Sequence, residues 1–132
     1  MDFSCRWRAD FADADVDTLH AEGFGHPPRH ADWRAQVEQH SLGWVCAYDQ
    51  ETLVGFVNVV WDGGAHAFLL DTVVAAAHRH QGVGSALVEV AAREAQAAGC
   101  EWLHVDFESE LGDFYVGWCG FSPTAAGILA LS

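Results

Sequence analysis

Two periods of apolar positions alternate along this chain, and the switches between them mark out its elements. Residues 3–8 alternate apolar and polar side chains, as an edge strand does. Residues 11–17 are acidic, and Asp13 or Asp15 stands where it can cap a helix through Leu19 to Ala21. The run Gly23-Phe24-Gly25-His26-Pro27-Pro28 breaks that helix. A second helix is expected over residues 30–40, around Trp33 and Val37. Residues 42–48 and 52–61 read as antiparallel strands joined by the loop Asp49-Gln50-Glu51. Asp62-Gly63-Gly64 is a second turn. Residues 68–74 are apolar and rich in β-branched side chains, with Asp71 inside them, which predicts a strand covered on both faces. Leu87, Val88, Ala91, Ala95 and Ala98 then recur at helical spacing over residues 85–98, and Gly99 stops the helix. Residues 100–108 alternate strictly, with Trp102, His104, Asp106 and Glu108 on one face and Leu103, Val105 and Phe107 on the other. A short helix is expected over 111–119, ended by Gly120 and Pro123, and a last strand over 128–131.

The order is strand, two helices, three strands, helix, strand, helix, then one or two strands. That is a mixed α/β layout around one central sheet. No repeat, low-complexity tract or linker divides the chain, so residues 1–132 are read as a single domain large enough for a real core.

The loop before the long helix, Arg79-His80-Gln81-Gly82-Val83-Gly84, carries the clearest chemistry. Glycines let backbone approach a ligand closely. The first turn of a helix leaves N–H groups unpartnered and bears partial positive charge. Together they make an anion site suited to phosphate, with Arg79 as a cation at its mouth. It is not a P-loop, because no Gly-Lys-Ser/Thr follows and the chain has no lysine. Nor is it a dinucleotide fingerprint, because Leu87 stands where the third glycine belongs.

Charge narrows the partners. The formal net charge is −13, and six arginines carry all the fixed positive charge. Nucleic acid is excluded as a partner for want of a basic footprint. The acidic field either draws a cationic substrate such as an amine or only keeps the protein soluble. Acidic residues, arginine or glycine interrupt every apolar run, so no membrane span is expected, and the first residues lack a signal-peptide core. The expected location is cytoplasmic. Cys5, Cys46, Cys100 and Cys119 are widely spaced with no Cys-x-x-Cys pair, so free thiols are expected and no metal.

Arg-x-x-Gly-x-Gly after a strand resembles the acetyl-CoA loop of the GCN5-related N-acetyltransferase (GNAT) superfamily. The element order matches that superfamily along nearly the whole chain. Phe114-Tyr115 and Gly120-Phe121 match its Phe-Tyr followed by Gly-Phe. Two departures stand out. The family usually has four residues from Tyr to Gly, and here Tyr115 and Gly120 are five apart. The extra residue, around Gly117-Trp118, would make a bulge and turn the tyrosine away. The chain also has Ala76 after Val74 where the family often has proline.

The resemblance implies a single mixed, mostly antiparallel sheet flanked by helices on both faces. It implies acetyl transfer from acetyl-CoA, with no metal, to a primary amine of a small molecule or peptide, by direct attack in a ternary complex. The pantetheine arm would bond to backbone at Val73 and Val74, and the pyrophosphate would lie on Arg79, His80, Gln81, Gly82, Val83, Gly84 and Ser85. Tyr115 matches the tyrosine that protonates the leaving thiolate, a role open to a phenol because it stays protonated at neutral pH; otherwise it packs the helix on the sheet. Asp71 lies where the family often carries an acid serving as base, and Glu108 and Asp106 near the end of the neighbouring strand compete with it, Asp106 also lining the acceptor side. Each carboxylate has a plain alternative as a solvated or structural group. His66 and His104 could serve too, and His104-x-Asp106 lacks a third metal ligand.

Phe24, His26 and Trp33 are candidates for the acceptor wall, with core packing as the alternative for Phe24 and Trp33. Asn58 and Trp61 are candidates for the acceptor side, and an asparagine inside an apolar strand needs a hydrogen-bonding reason. A non-catalytic acyl-CoA sensor or partner-binding module of the same fold would share the loop without needing Tyr115 or Asp71 as proton carriers. The edge strands and aromatic residues leave room for a homodimer.

Overall fold

Five of the apolar runs pair into one open sheet, and three helices cover its two faces. The computed structural model describes residues 2–132. Its elements are β1 (Ser4–Trp7), α1 (Asp13–Phe24), α2 (Trp33–His40), β2 (Ser41–Asp49), β3 (Thr52–Trp61), β4 (His66–Val74), α3 (Val83–Ala97) and β5 (Trp102–Val105). The strands lie in sequence order. β1 to β4 are antiparallel neighbours, and β5 joins β4 in parallel after the α3 crossover. This is the mixed, mostly antiparallel sheet that the resemblance implies.

Two hydrophobic layers hold it. α3 lays Val83, Leu87, Val88, Ala91 and Ala95 on Val45, Val57, Val59, Ala67 and Leu69 of one sheet face. Close approach is possible because Gly55 has no Cβ; one built there would lie 2.9 Å from Val83 and 3.1 Å from Leu87. On the other face, α1 and α2 bring Val16, Leu19, Trp33 and Val37 onto Trp44, Cys46, Phe56 and Val73. All four cysteines are free, and burial pushes the Cys46 thiol up to about 12.

Several expectations are corrected. β4 is not covered on both faces: Phe68 and Leu70 are 41% and 45% exposed. α1 reaches only the far end of that strand, where Gly23 packs against Val73. Neither Asp13 nor Asp15 caps α1, whose N-cap is Ala12 with no side-chain bond. Asp13 instead accepts the Arg34 N–H across to α2, at 2.8 Å. α2 begins at Trp33 rather than residue 30 because the preceding backbone is claimed by Asp17. Ala98 lies exposed beyond α3. The expected 111–119 helix is a 3-10 turn, Ser109–Leu111, followed by a π-helical turn, Asp113–Trp118. Residues 128–131 form no strand, and Ile128, Leu129 and Leu131 stand exposed with nothing packed on so short a run.

Asp17 ties α1 to α2. It is buried on α1 and accepts the Trp33 indole N–H at 3.0 Å and the backbone N–H groups of His30 and Arg29 at 3.0 and 3.1 Å. The Trp33 bond, then that of His30, lowers its pKa from 3.8 to about 2. A folded value below the unfolded one gives stability that is present above pH 4 and lost as pH falls through the folded value. Asp17→Asn turns an amide donor towards these N–H groups, so it should melt several degrees lower than the native chain at pH 7. The two melting temperatures should converge near pH 2 in a calorimetric pH series.

Candidate active site

A break in register in β4 organises the site. Phe56 pairs with Val73 and Asn58 with Leu70, so Asp71 and Thr72 together oppose Val57 alone. That is a β-bulge, and Asp71 takes the left-handed φ of +60°. A bulge shifts the alternation of side chains by one. Leu70 and Asp71 consequently face the α1 side, while Thr72 faces the α3 side. The pairing of β4 with β5 ends just before this point, at Leu69 and Val105. From Leu70 to Val74 the outer edge of β4 has no strand beside it. The Ala75 N–H is bonded to Val54 O at 2.8 Å. By the alternation of an extended chain, the Val74 N–H turns the other way, into the gap.

Asp71 and Tyr115 meet the bulge from opposite faces. Asp71 Oδ1 lies 2.9 Å from His20 Nε2 of α1. Tyr115 lies on the Thr72 side of the bulge, near enough for Thr72 to pull its pKa down. The extra residue before Gly120 does make a bulge: the Cys119 N–H reaches Phe114 O, five residues back, at 2.9 Å. Tyr115 is nevertheless turned inward, 5% exposed, stacked on Phe107 and edge-on to Phe114 and Phe121. Burial pushes its phenol above the ordinary 10.0, against a smaller downward pull from Thr72.

The loop at the end of β4 has the features of an anion cradle. Ala76–His78 form a 3-10 turn, and His78 Nε2 is pinned 3.0 Å from Asp49 Oδ2. His80 and Gly82 take left-handed conformations, with φ of +62° and +84°. Gly82 is the N-cap of α3, and no side chain caps that helix. The first helical N–H to find an intrahelical carbonyl is that of Ala86. The N–H groups of Val83, Gly84 and Ser85 therefore point past the helix end without helical partners. Gly84 lets the helix end settle against Phe114; a Cβ there would lie 3.1 Å from the ring. Gln81 Oε1 is buried with no hydrogen-bond partner. Arg79 is exposed, its Nε–H 3.4 Å from Val74 O. Open helix N–H groups, a glycine cradle and a guanidinium at the rim fit the pyrophosphate of CoA.

Other candidates separate. Val73 is buried under α1 and Val74 sits beside the loop. Trp33 is a core residue, 5% exposed, and Phe24 is 52% exposed with its ring against His20. Asn58 is buried and its side-chain oxygen accepts the Ser41 hydroxyl, a structural reason for its presence. Trp61 shares the parity of Val57 and Val59, so it faces the α3 side while Asn58 faces the other. Glu108 and Asp106 are exposed beyond the end of β5. His66 Nδ1 and His104 Nε2 lie 2.7 Å apart on the surface. Among the described residues no three His, Cys, Asp or Glu side chains are grouped as a metal would need. Thr72 and His20 were not foreseen. For His20 a signal existed: it follows Val16 by one helical turn, a polar residue on a buried stripe.

Comparison with known proteins agrees with this architecture. The model of the acetyltransferase (GNAT) family matches residues 6–121, and the chain belongs to that family. A GNAT family acetyltransferase of Streptococcus pneumoniae superimposes with a TM-score of 0.79 at 21% identity, covering 99% of this chain and 98% of that one. The aminoglycoside N-acetyltransferase AAC(6')-Iy, solved in complex with CoA, gives 0.79 at 19% identity, covering 99% and 95%. Glucosamine-6-phosphate N-acetyltransferase of Arabidopsis thaliana gives 0.78 at 15%, covering 98% of each. A search of curated protein sequences returns no significant match.

The burial of Tyr115 has a spectroscopic consequence. A raised folded value favours the protonated, native state, so this stability is present below pH 10 and lost as pH rises through the folded value. Burial raises the other tyrosine, Tyr48, as well. Phenolate absorbance should therefore appear only above pH 10 in the native protein. Tyr115→Phe should remove one of the two steps, and a step at or below pH 10 that disappears with it would contradict the burial.

Proposed function

We propose that this domain is an acetyl-CoA-dependent N-acetyltransferase that acetylates a primary amine of a small molecule or peptide by direct attack in a ternary complex. One observation carries the reading: the unpaired edge of β4 has Asp71 on one side, Tyr115 on the other and open helix N–H groups at its end. CoA-bearing neighbours of the same fold support the choice of donor.

When bound, acetyl-CoA supplies an acetyl group activated as a thioester. The N–H groups of Val83, Gly84 and Ser85, with Arg79, hold its pyrophosphate. The free backbone edge at Val74 orients the pantetheine arm as an added strand would be oriented, while Val73, paired with Phe56, fixes its position. The Val74 N–H is placed to donate to the carbonyl oxygen as negative charge grows there. Asp71 takes a proton from the acceptor's ammonium on the α1 face. Tyr115 gives a proton to sulfur from the α3 face, and its buried phenol is protonated at neutral pH for that purpose. A net charge of −13 draws cationic amines towards the open face.

Ser85→Glu tests the donor site cleanly. Position 85 is the third residue of α3, where glutamate suits a helix start. The fold should keep its melting temperature, while the new carboxylate opposes a diphosphate. Calorimetry should show acetyl-CoA binding to the native chain and roughly tenfold weaker binding to Ser85→Glu, the scale of one lost charge-assisted hydrogen bond. No heat with the native chain, or equal affinity in the two, would refute the donor assignment.

A further inference from the structure

His20 is 6% exposed, yet both of its ring nitrogens are engaged. Nε2 lies 2.9 Å from Asp71 Oδ1, and Nδ1 lies 2.7 Å from Nε2 of His26. His26 Nδ1 lies 2.7 Å from the Pro27 carbonyl oxygen. A chain of three contacts thus runs from the β4 bulge, through α1, to the half-buried His26 after the helix end.

Both ends of this chain only accept: the Pro27 carbonyl oxygen at one, the Asp71 carboxylate at the other. Three contacts need three hydrogens, and two neutral imidazoles supply two. Two arrangements put the hydrogens in line: both rings protonated on Nδ1, with the vacancy at Asp71, or both on Nε2, with the vacancy at Pro27. A proton entering from Asp71 and one leaving from His26 convert the first into the second.

We propose that His20 and His26 are a proton relay, receiving through Asp71 the proton that the acceptor amine loses and passing it to solvent. This rests on the acetyl-transfer reading above. The balance is closed. An ammonium acceptor loses two protons as its nitrogen lone pair forms the new N–C bond and the C–S bond breaks. One proton ends on sulfur, which leaves with the bonding electron pair and is protonated by Tyr115; the phenol is restored from the acceptor's second proton. One proton remains for every turnover, and it leaves by Asp71, His20 and His26. His20 and His26 act through Asp71 and are positioning and relay residues.

The surroundings leave the path insulated. Phe24 and Trp33 lie against the His20 ring, with centroids 4.4 and 4.9 Å away. α2 contributes only the uncharged Trp33 to this contact, and β4 contributes Asp71. From α1, one turn back, Asp17 is the remaining charged group; it is occupied by Trp33 and the backbone of Arg29 and His30.

Two measurements test the relay. In imidazole nitrogen–proton correlation spectra of the whole chain, His20 and His26 should carry their hydrogens on the same ring nitrogen, both on Nδ1 or both on Nε2. Asp71→Asn should change the tautomer of the two rings together. Rings protonated on unlike nitrogens, or tautomers indifferent to Asp71→Asn, would overturn the relay without reference to any acceptor. In kinetics with an accepted amine, His26→Gln should lower kcat about tenfold in dilute buffer and recover it with added imidazole, leaving the acetyl-CoA KM unchanged. A native kcat in dilute buffer, or a loss that imidazole does not restore, would overturn the relay alone. Binding of acetyl-CoA with no transfer to any amine would overturn the reading beneath it as well. His20→Gln is the buried counterpart, and His26→Gln keeps the test valid if that variant does not fold.

Discussion

A single surplus residue in β4 governs this molecule. Asp71 and Thr72 stand opposite Val57, and the strand cannot stay in register with both neighbours. Three consequences follow from that one irregularity. β5 stops pairing at Val105 and leaves the outer edge of β4 bare. Asp71 turns to the α1 side, towards His20. Thr72 turns to the α3 side, towards Tyr115. A regular strand would have kept the backbone paired. The left-handed φ at Asp71 carries a conformational cost of about 1–2 kcal/mol, typical of strain kept at sites that need it.

The rest of the fold fixes the two ends of this strand. At its near end, Ala67 and Leu69 are locked beneath α3. At its far end, Val73 is pinned by Phe56 and by α1 at Gly23, and the Ala75 N–H is bonded to β3. The turn that follows is anchored through His78 and Asp49, which delivers the open end of α3 to the bare edge. On the proposed reading, a donor arm, a diphosphate cradle and two proton-handling groups would thereby be set by one strand and its exit. The α1 side of β4 is less enclosed: Phe24, Phe68, Leu70 and Trp102 stand exposed there.

Much of this was legible in the residues. Strand and helix periods located every β-strand of the sheet and all three α-helices. The glycine loop was evident because Gly82 and Gly84 sit where a strand hands over to an amphipathic stripe. Periodicity was poor at what tertiary pairing decides. The bulge left no mark in an apolar run, since Asp71 reads equally well as a buried acid or a misplaced one. The half-bare face of β4 depended on how far α1 extends over it. The surplus residue before Gly120 was visible, but whether it expelled Tyr115 depended on a π-turn that the stacking of Phe107, Phe114 and Phe121 makes favourable. His20 and His26 are six residues apart across a helix end, a spacing with no motif, and only the fold brings Asp71 to them. Residues 128–131 had the apolar run of a short strand and no partner to pair with.

The central claim is that the bare edge of β4 and the open end of α3 receive one acyl-CoA ligand between them. Backbone amide spectra recorded while acetyl-CoA is added test this directly. The account predicts that the amides of Val74, Val83, Gly84 and Ser85 shift together with a common affinity, and that the Val74 amide becomes protected from solvent exchange. Saturable binding that leaves Val74 and the first turn of α3 unmoved would contradict it.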